Sequence, residues 1–168
     1  MIKTIPNDFF KKREHEIKKI DSIFCENLYY LELIKKYILS EIVPDIILYD
    51  YEKAIKYNRM FTEDNPQVNK KDLWLIGASG QGDFWFLDNT DSILWCNHDF
   101  GEFKKQSCLN LEISFEKFLC LGFTLYDFEE KLDNTPDYFD SPDRQEDLKR
   151  AINCISDDLY EIYPYDYF

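Results

Sequence analysis

The chain has 168 residues, of which 45% are hydrophobic and 17% aromatic, so we expect a single domain over 1–168 with one core. This composition excludes a disordered or collagen-like chain, and the absence of a long apolar run or a secretory signal predicts a cytoplasmic protein. The net charge of −13 disfavours direct binding to nucleic acids or anionic lipids, because such a field repels phosphate.

Two amphipathic helices are predicted in the N-terminal part. The first begins after the candidate caps Asn7 and Asp8 and runs through Phe24, with its apolar residues near one face among many lysines. The second follows an apolar stripe over 28–42 and ends before Pro44. Both helices are expected to pack on the core.

The middle of the chain changes from helical to strand periodicity. Asp50 is the predicted cap of a short helix, and the polar stretch 62–71 is predicted to be a surface loop. Three aromatic and aliphatic runs at 72–76, 83–87 and 92–96 then predict strands that form an antiparallel meander. Their near-continuous apolar character predicts a sheet that is covered on both faces.

Helical signals return in the C-terminal part. Ser114 is the predicted cap of a helix that stops at Gly122, and an acidic linker follows over 133–140. Pro142 then marks the first turn of a final helix over 143–162 with apolar residues at helical spacing. The elements together predict an α+β fold with a central, mainly antiparallel sheet flanked by N-terminal and C-terminal helices.

The cysteines and the short motifs give no sign of catalytic chemistry. Five scattered cysteines without a C-x-x-C pair predict reduced thiols and neither a disulfide framework nor a zinc site. The glycine-rich run 77–82 lacks the Lys-Ser or Lys-Thr of a phosphate loop, so it predicts a structural hairpin with positive φ angles. His98 is predicted to be a turn residue bonded to Asp99 or to the backbone. We therefore assign no catalytic, cofactor-binding or metal-binding residue.

Four motifs between Tyr49 and Leu119 occur in an order that matches a known family. They are YDYEKAI at 49–55 with Asn58, IGASGQGD at 76–83 with LD at 87–88, HD at 98–99, and SFEKFL at 114–119. In this combination the chain resembles the SUKH superfamily, the fold of bacterial immunity proteins and of fungal cell-wall-assembly regulators. The resemblance implies a sheet flanked by helices, no catalytic site, no cofactor, and a role in binding and neutralising a cognate toxin, often a nuclease.

The charge distribution independently favours a basic protein partner. Residues 1–71 carry a net charge of +1, whereas residues 126–168 carry −9 together with nine aromatic residues. An acidic surface attracts basic proteins, and buried aromatic side chains commonly supply most of the binding energy. The predicted partner-binding residues are Asp137, Tyr138, Phe139, Asp140, Asp143, Asp147, Asp157 and Asp158.

The sequence is also compatible with two other functional classes. One is a regulatory scaffold of the cell-wall-regulator type. The other is a small enzyme that uses the glycine-rich hairpin and His98. A further interpretation of the C-terminal part is purely structural: Tyr160, Tyr163, Tyr165 and Phe168 pack on the sheet, and the acidic residues are only solvated.

Overall fold

A six-stranded antiparallel sheet forms the centre of the protein in a computed structural model that describes residues 9–168, with the backbone alone for Phe100. A separate two-stranded antiparallel sheet pairs β1 (Lys11–Lys12) with β2 (Tyr37–Ile38). The strands of the large sheet lie in chain order and are β3 (Glu41–Val43), β4 (Ile46–Leu48), β5 (Leu73–Ala78), β6 (Phe84–Asp88), β7 (Ile93–Cys96) and β8 (Leu109–Asn110). The helices are α1 (Leu28–Lys36), α2 (Tyr51–Asp64), α3 (Phe115–Asn134), α4 (Pro136–Phe139), α5 (Arg144–Asn153) and α6 (Leu159–Ile162). The predicted α+β class is confirmed.

The three predicted central strands are confirmed as β5, β6 and β7, which form the expected antiparallel meander. Leu75 pairs with Phe86 and Phe86 with Leu94, so apolar residues of the three strands stand in one row. The turn between β6 and β7 forms because the Asp88 carboxylate accepts hydrogen bonds from the N–H groups of Thr90 and Ser92, at 2.8 and 3.0 Å.

Helices cover both faces of the sheet. Trp85 and Phe86 are adjacent in β6 and therefore point to opposite faces. Trp85 packs on Phe118 of α3 with ring centroids 4.8 Å apart, and Phe86 packs on Phe61 of α2 at 4.9 Å. Helix α1 lies against α3. One face is thus covered by α2, and the other by α3 with α1 beside it.

The prediction of a first amphipathic helix that runs through Phe24 is wrong. Residues 9–27 contain no helix, and the candidate caps Asn7 and Asp8 lie outside the described residues. The rings of Phe9 and Phe10 instead pack on Phe123 of α3, with centroids 4.9 and 6.0 Å apart. These aromatic contacts supply the burial that an apolar helical face would have supplied, so tertiary packing overrides the helical pattern.

The apolar stripe over 28–42 is helical only in its first part. Asn27 caps α1 by accepting a hydrogen bond from the N–H of Tyr30 at 2.6 Å, and the helix ends at Lys36. Ile38 and Ile42 then lie in β2 and β3. β-Branched residues fit a strand well, so pairing with the neighbouring strands decided their conformation.

Gly122 lies inside α3 and does not end it. Ser114 caps this helix as predicted, by accepting a hydrogen bond from the N–H of Lys117, but the helix continues to Asn134. A Cβ on Gly122 would stand 3.0 Å from Cδ1 of Ile42. The glycine therefore permits close packing of α3 on β3. It is needed for this contact with a distant part of the chain, and it does not end the helix.

The predicted final helix is divided into α5 and α6. Helix α5 ends at Asn153, whose side-chain oxygen accepts a hydrogen bond from the N–H of Tyr160 at 2.8 Å. Asp158, with φ of +58°, precedes α6 in the left-handed conformation. Leu148 and Leu159 are buried on the two sides of the break. The apolar spacing therefore predicted correctly which residues are buried, but the prediction of one continuous helix is wrong.

The prediction that all cysteines stay reduced is wrong for two of them. Cys96 and Cys108 form a disulfide, with Cα atoms 4.5 Å apart. The pairing of Trp95 with Leu109 between β7 and β8 places these cysteines opposite each other one residue further along. Disulfides are rare in the cytosol, so this bond is in tension with the predicted cytoplasmic location, which stays a prediction.

The glycine-rich hairpin has two different structural requirements. Gly82 adopts φ of +96°, as predicted, whereas Gly77 and Gly80 do not have positive φ angles. A Cβ on Gly77 would overlap the carbonyl oxygen of Ile47, because β4 and β5 approach closely there. A Cβ on Gly80 would stand 3.3 Å from the carbonyl oxygen of Pro44. Gly77 and Gly82 are therefore the two most constrained positions of the hairpin.

Candidate functional site

The residues predicted to bind a partner all follow α3 in the chain. Three lie in α4, two in the loop that leads to α5, one in α5, and two in the break between α5 and α6. In chain order they are Asp137, Tyr138, Phe139, Asp140, Asp143, Asp147, Asp157 and Asp158. Their side chains divide into a group that is engaged within the protein and a group that faces solvent.

Tyr138 and Asp147 belong to the engaged group. The Tyr138 hydroxyl donates a hydrogen bond to Oδ2 of Asp147 at 3.1 Å, and Nζ of Lys131 lies 3.3 Å from the centroid of the Tyr138 ring. Burial and the neighbouring Asp147 carboxylate raise the pKa of Tyr138. Asp147 also contacts Lys131 and Arg150 at 3.8 Å. These two predicted residues therefore hold α4 on α3 and α5.

Phe139 is the exposed aromatic residue of the predicted set. Its side chain is 56% exposed, and Phe168 is 46% exposed. The guanidinium carbon of Arg144 lies 5.2 Å from the ring centroid of Phe139 and 5.3 Å from that of Phe168. Arg144 also donates a hydrogen bond to the carbonyl oxygen of Phe139. The arginine thus holds two exposed aromatic rings on one surface.

Exposed carboxylates lie in the same segment as Phe139 and Arg144. Asp137 and Asp140 flank Phe139 in sequence, and Asp143 precedes Arg144. All three are exposed, and none forms an ion pair with another described residue. We name this set the acidic aromatic surface; it consists of Asp137, Phe139, Asp140, Asp143, Arg144 and Phe168. Asp157 and Asp158 are also exposed, in the break between α5 and α6.

The tail that carries Phe168 is attached by three tyrosines at alternate positions. Tyr163, Tyr165 and Tyr167 donate hydroxyl hydrogen bonds to Asp45, Asp83 and Glu129, at 3.3, 2.9 and 2.9 Å. The structural interpretation is correct for Tyr163 and Tyr165, which pack on Trp85 and Trp95 of the sheet, but it also placed Phe168 there, and Phe168 is exposed. The three carboxylate partners of the tyrosines were not predicted. The period-two spacing of the tyrosines was the available signal, since alternate residues of an extended segment share a face.

Asp83 is a buried carboxylate that joins the hairpin, the loop after β7 and the tail. Its Oδ1 accepts a hydrogen bond from the backbone N–H of His98 at 3.1 Å and lies 2.8 Å from Nδ1 of the same residue. Burial alone would raise the pKa of Asp83, but hydrogen bonds from His98 and Tyr165 outweigh burial and lower it. The hydrogen bond to Asp83 in turn raises the pKa of His98 above its ordinary 6.5.

The polar groups of the hairpin are used within the fold. As predicted, His98 contacts Asp99, with Nε2 3.1 Å from Oδ1. The Ser79 hydroxyl oxygen accepts hydrogen bonds from the N–H groups of Gln81 and Asp83, at 3.3 and 3.2 Å. Over residues 9–168 the structure shows no Ser–His hydrogen bond of the kind that activates a nucleophile. The same residues include no group of three or more His, Cys, Asp or Glu side chains placed to hold a metal ion.

Comparison with known proteins identifies no relative, since no family model, curated protein or solved structure matches the chain. The function is therefore inferred from the charge, exposure, contacts and sequence motifs of the chain's own residues. None of the helices within the described residues is long and apolar enough to cross a membrane.

Proposed function

We propose that the chain is a non-catalytic protein-binding domain that engages a basic protein partner through the acidic aromatic surface. One observation carries this proposal: the exposed rings of Phe139 and Phe168 both contact the guanidinium group of Arg144, and the exposed carboxylates of the segment 137–143 form no ion pair within residues 9–168. Exposed aromatic groups with polar neighbours are typical of protein interaction sites.

The two kinds of residue act at different stages of binding. The carboxylates of Asp137, Asp140 and Asp143 create a negative field that accelerates encounter with a basic surface. Phe139 and Phe168 supply apolar area that leaves water only when the partner is in place. Arg144 keeps both rings in one arrangement before binding, so less conformational freedom is lost in the complex.

The biological role that we propose is that of a bacterial immunity protein that neutralises a cognate toxin. The resemblance to the SUKH superfamily supports this role. A nuclease toxin presents basic residues to phosphate, and an acidic protein surface can occupy that site instead of the nucleic acid. An immunity gene is expected to lie beside the gene for its toxin. Co-expression with the product of that adjacent gene should restore growth that the product alone abolishes, and continued growth arrest would contradict the role.

The charge contribution is tested by the triple variant Asp137→Asn, Asp140→Asn, Asp143→Asn. With the adjacent toxin as partner, its association rate constant should fall by about tenfold at low salt and depend less on NaCl concentration. The matched control is Glu14→Gln, Glu16→Gln, Asp21→Asn, which removes the same charge from exposed residues elsewhere. Equal effects of the two variants would show that only net charge matters and would place the interface elsewhere.

The aromatic contribution is tested by Phe139→Ala. Removing a central anchor should weaken binding by about 2 kcal/mol, or roughly 30-fold in Kd, through faster dissociation. Leu28→Ala is the control, because Leu28 is 77% exposed but lies in α1. An unchanged dissociation rate for Phe139→Ala would overturn the assignment of this surface.

A further inference from the structure

A cleft of about 560 Å³ opens between α2 and the segment 97–108, on the face of the sheet that α2 covers. This volume is within the range of roughly 300–1,000 Å³ that is usual for small-molecule sites. Its lining includes the rings of Tyr57, Phe61, Phe84 and Phe103, and the side chain of Met60, which is 43% exposed. None of these residues belongs to the acidic aromatic surface.

The walls of the cleft are held by contacts that do not involve a ligand. The rings of Phe61 and Phe103 pack edge to face at 88° with centroids 4.9 Å apart, so each ring fixes the position of the other. The Cys96–Cys108 disulfide, whose two residues line the cleft, closes the segment that carries Phe103. Lys105, in the same segment, forms an ion pair with Asp88 at 3.4 Å. The site is therefore formed before a ligand arrives.

The charged groups of the lining favour a cation. Asp64 and Glu102 are exposed, and neither carboxylate has an ion-pair partner within residues 9–168. Lys104 is the one lysine or arginine of the lining that the structure describes. When His98 is protonated, its positive charge is balanced locally by Asp83 and Asp99. The lining of the cleft thus carries two carboxylates and one lysine together with aromatic residues.

We propose that this cleft binds a small organic cation that carries a substituted ammonium group. Aromatic ring faces attract such cations, and the methyl groups of a substituted ammonium bury against rings more readily than a strongly hydrated primary ammonium. Asp64 and Glu102 add long-range attraction at the rim. The proposal is independent of the protein partner, because it uses a different surface and a different class of ligand.

Met60 provides a direct test by NMR spectroscopy. The chain contains two methionines, so labelling with ¹³C-methyl methionine gives two resonances, of which that of Met60 reports on the cleft. Choline is the probe, and 3,3-dimethylbutan-1-ol is its neutral counterpart of the same shape. Choline should shift the Met60 resonance in a saturable manner, and the alcohol should bind about tenfold more weakly. Equal binding of both probes, or no saturable shift with choline, would overturn the proposal.

Variants separate cation recognition from general binding. Asp64→Asn with Glu102→Gln should weaken choline binding several-fold, and Lys104→Ala should strengthen it, because it removes the opposing charge. Glu14→Gln with Asp21→Asn removes two exposed charges that are not part of the lining and should leave the Kd unchanged. Each variant carries an exposed substitution, and an unchanged melting temperature verifies that it folds. An unchanged Kd for the first variant would refute the role of the carboxylates.

Discussion

Replacing Gly77 by Ala tests how closely β4 and β5 approach each other. The pairs Ile47–Ala78 and Leu48–Gly77 define this part of the sheet. The added Cβ would overlap the carbonyl oxygen of Ile47 and stand 3.2 Å from Cα of Leu48. Both contacts are with backbone atoms, so no side chain can rotate to relieve them. The strands must separate, or the local register must change.

The size of the effect follows from the contacts that are lost. Overpacking in a rigid region costs about 1–3 kcal/mol, and each weakened backbone hydrogen bond adds about 1 kcal/mol. We therefore expect Gly77→Ala to lower the free energy of unfolding by about 3 kcal/mol. For a domain of this size, that corresponds to a decrease in Tm of roughly 6–12 °C.

Thermal and urea denaturation followed by circular dichroism measure this difference. Gly80→Ala is the matched control, because its Cβ would stand 3.3 Å from a single backbone oxygen and its φ is not positive. The control should be destabilised much less than Gly77→Ala. If both variants melt within a degree or two of the unchanged protein, the close approach of β4 and β5 at Gly77 is refuted.

Three further predictions concern the disulfide, the hairpin and His98. Thiol titration of the denatured, unreduced protein should find three thiols, and reduction should reveal two more; five thiols before reduction would show that the Cys96–Cys108 bond is absent. Gly82→Ala should lower the free energy of unfolding by about 1 kcal/mol or more because of its positive φ, and an unchanged urea midpoint would contradict this. The folded-state pKa of His98 is raised, so the stability from its contact with Asp83 is complete below pH 6.5 and is lost as pH rises through the raised pKa. Asp83→Asn should lower the His98 pKa measured by NMR; an unchanged pKa would exclude Asp83 as the cause.

The central strands and several helix starts could be predicted from the sequence alone. Apolar runs separated by turn residues located β5, β6 and β7, and the caps Asp50 and Ser114 located the starts of α2 and α3. These features depend on residues a few positions apart, so their determinants are readable locally. The acidic residues of the candidate surface were found in the same way, by counting charge along the chain.

Features that depend on distant residues could not be predicted in this way. The pairing of β7 with β8 brings Cys96 to Cys108, and the tail brings Phe168 to Arg144, although nothing in the local pattern marks either contact. Gly122 was predicted to end a helix, whereas its actual role is to allow close contact with Ile42. Local propensity is worth only tenths of a kcal/mol per residue, whereas burial of one aromatic side chain is worth several times more. Tertiary contacts therefore decided where the helices end, which cysteines pair and which aromatic residues remain exposed.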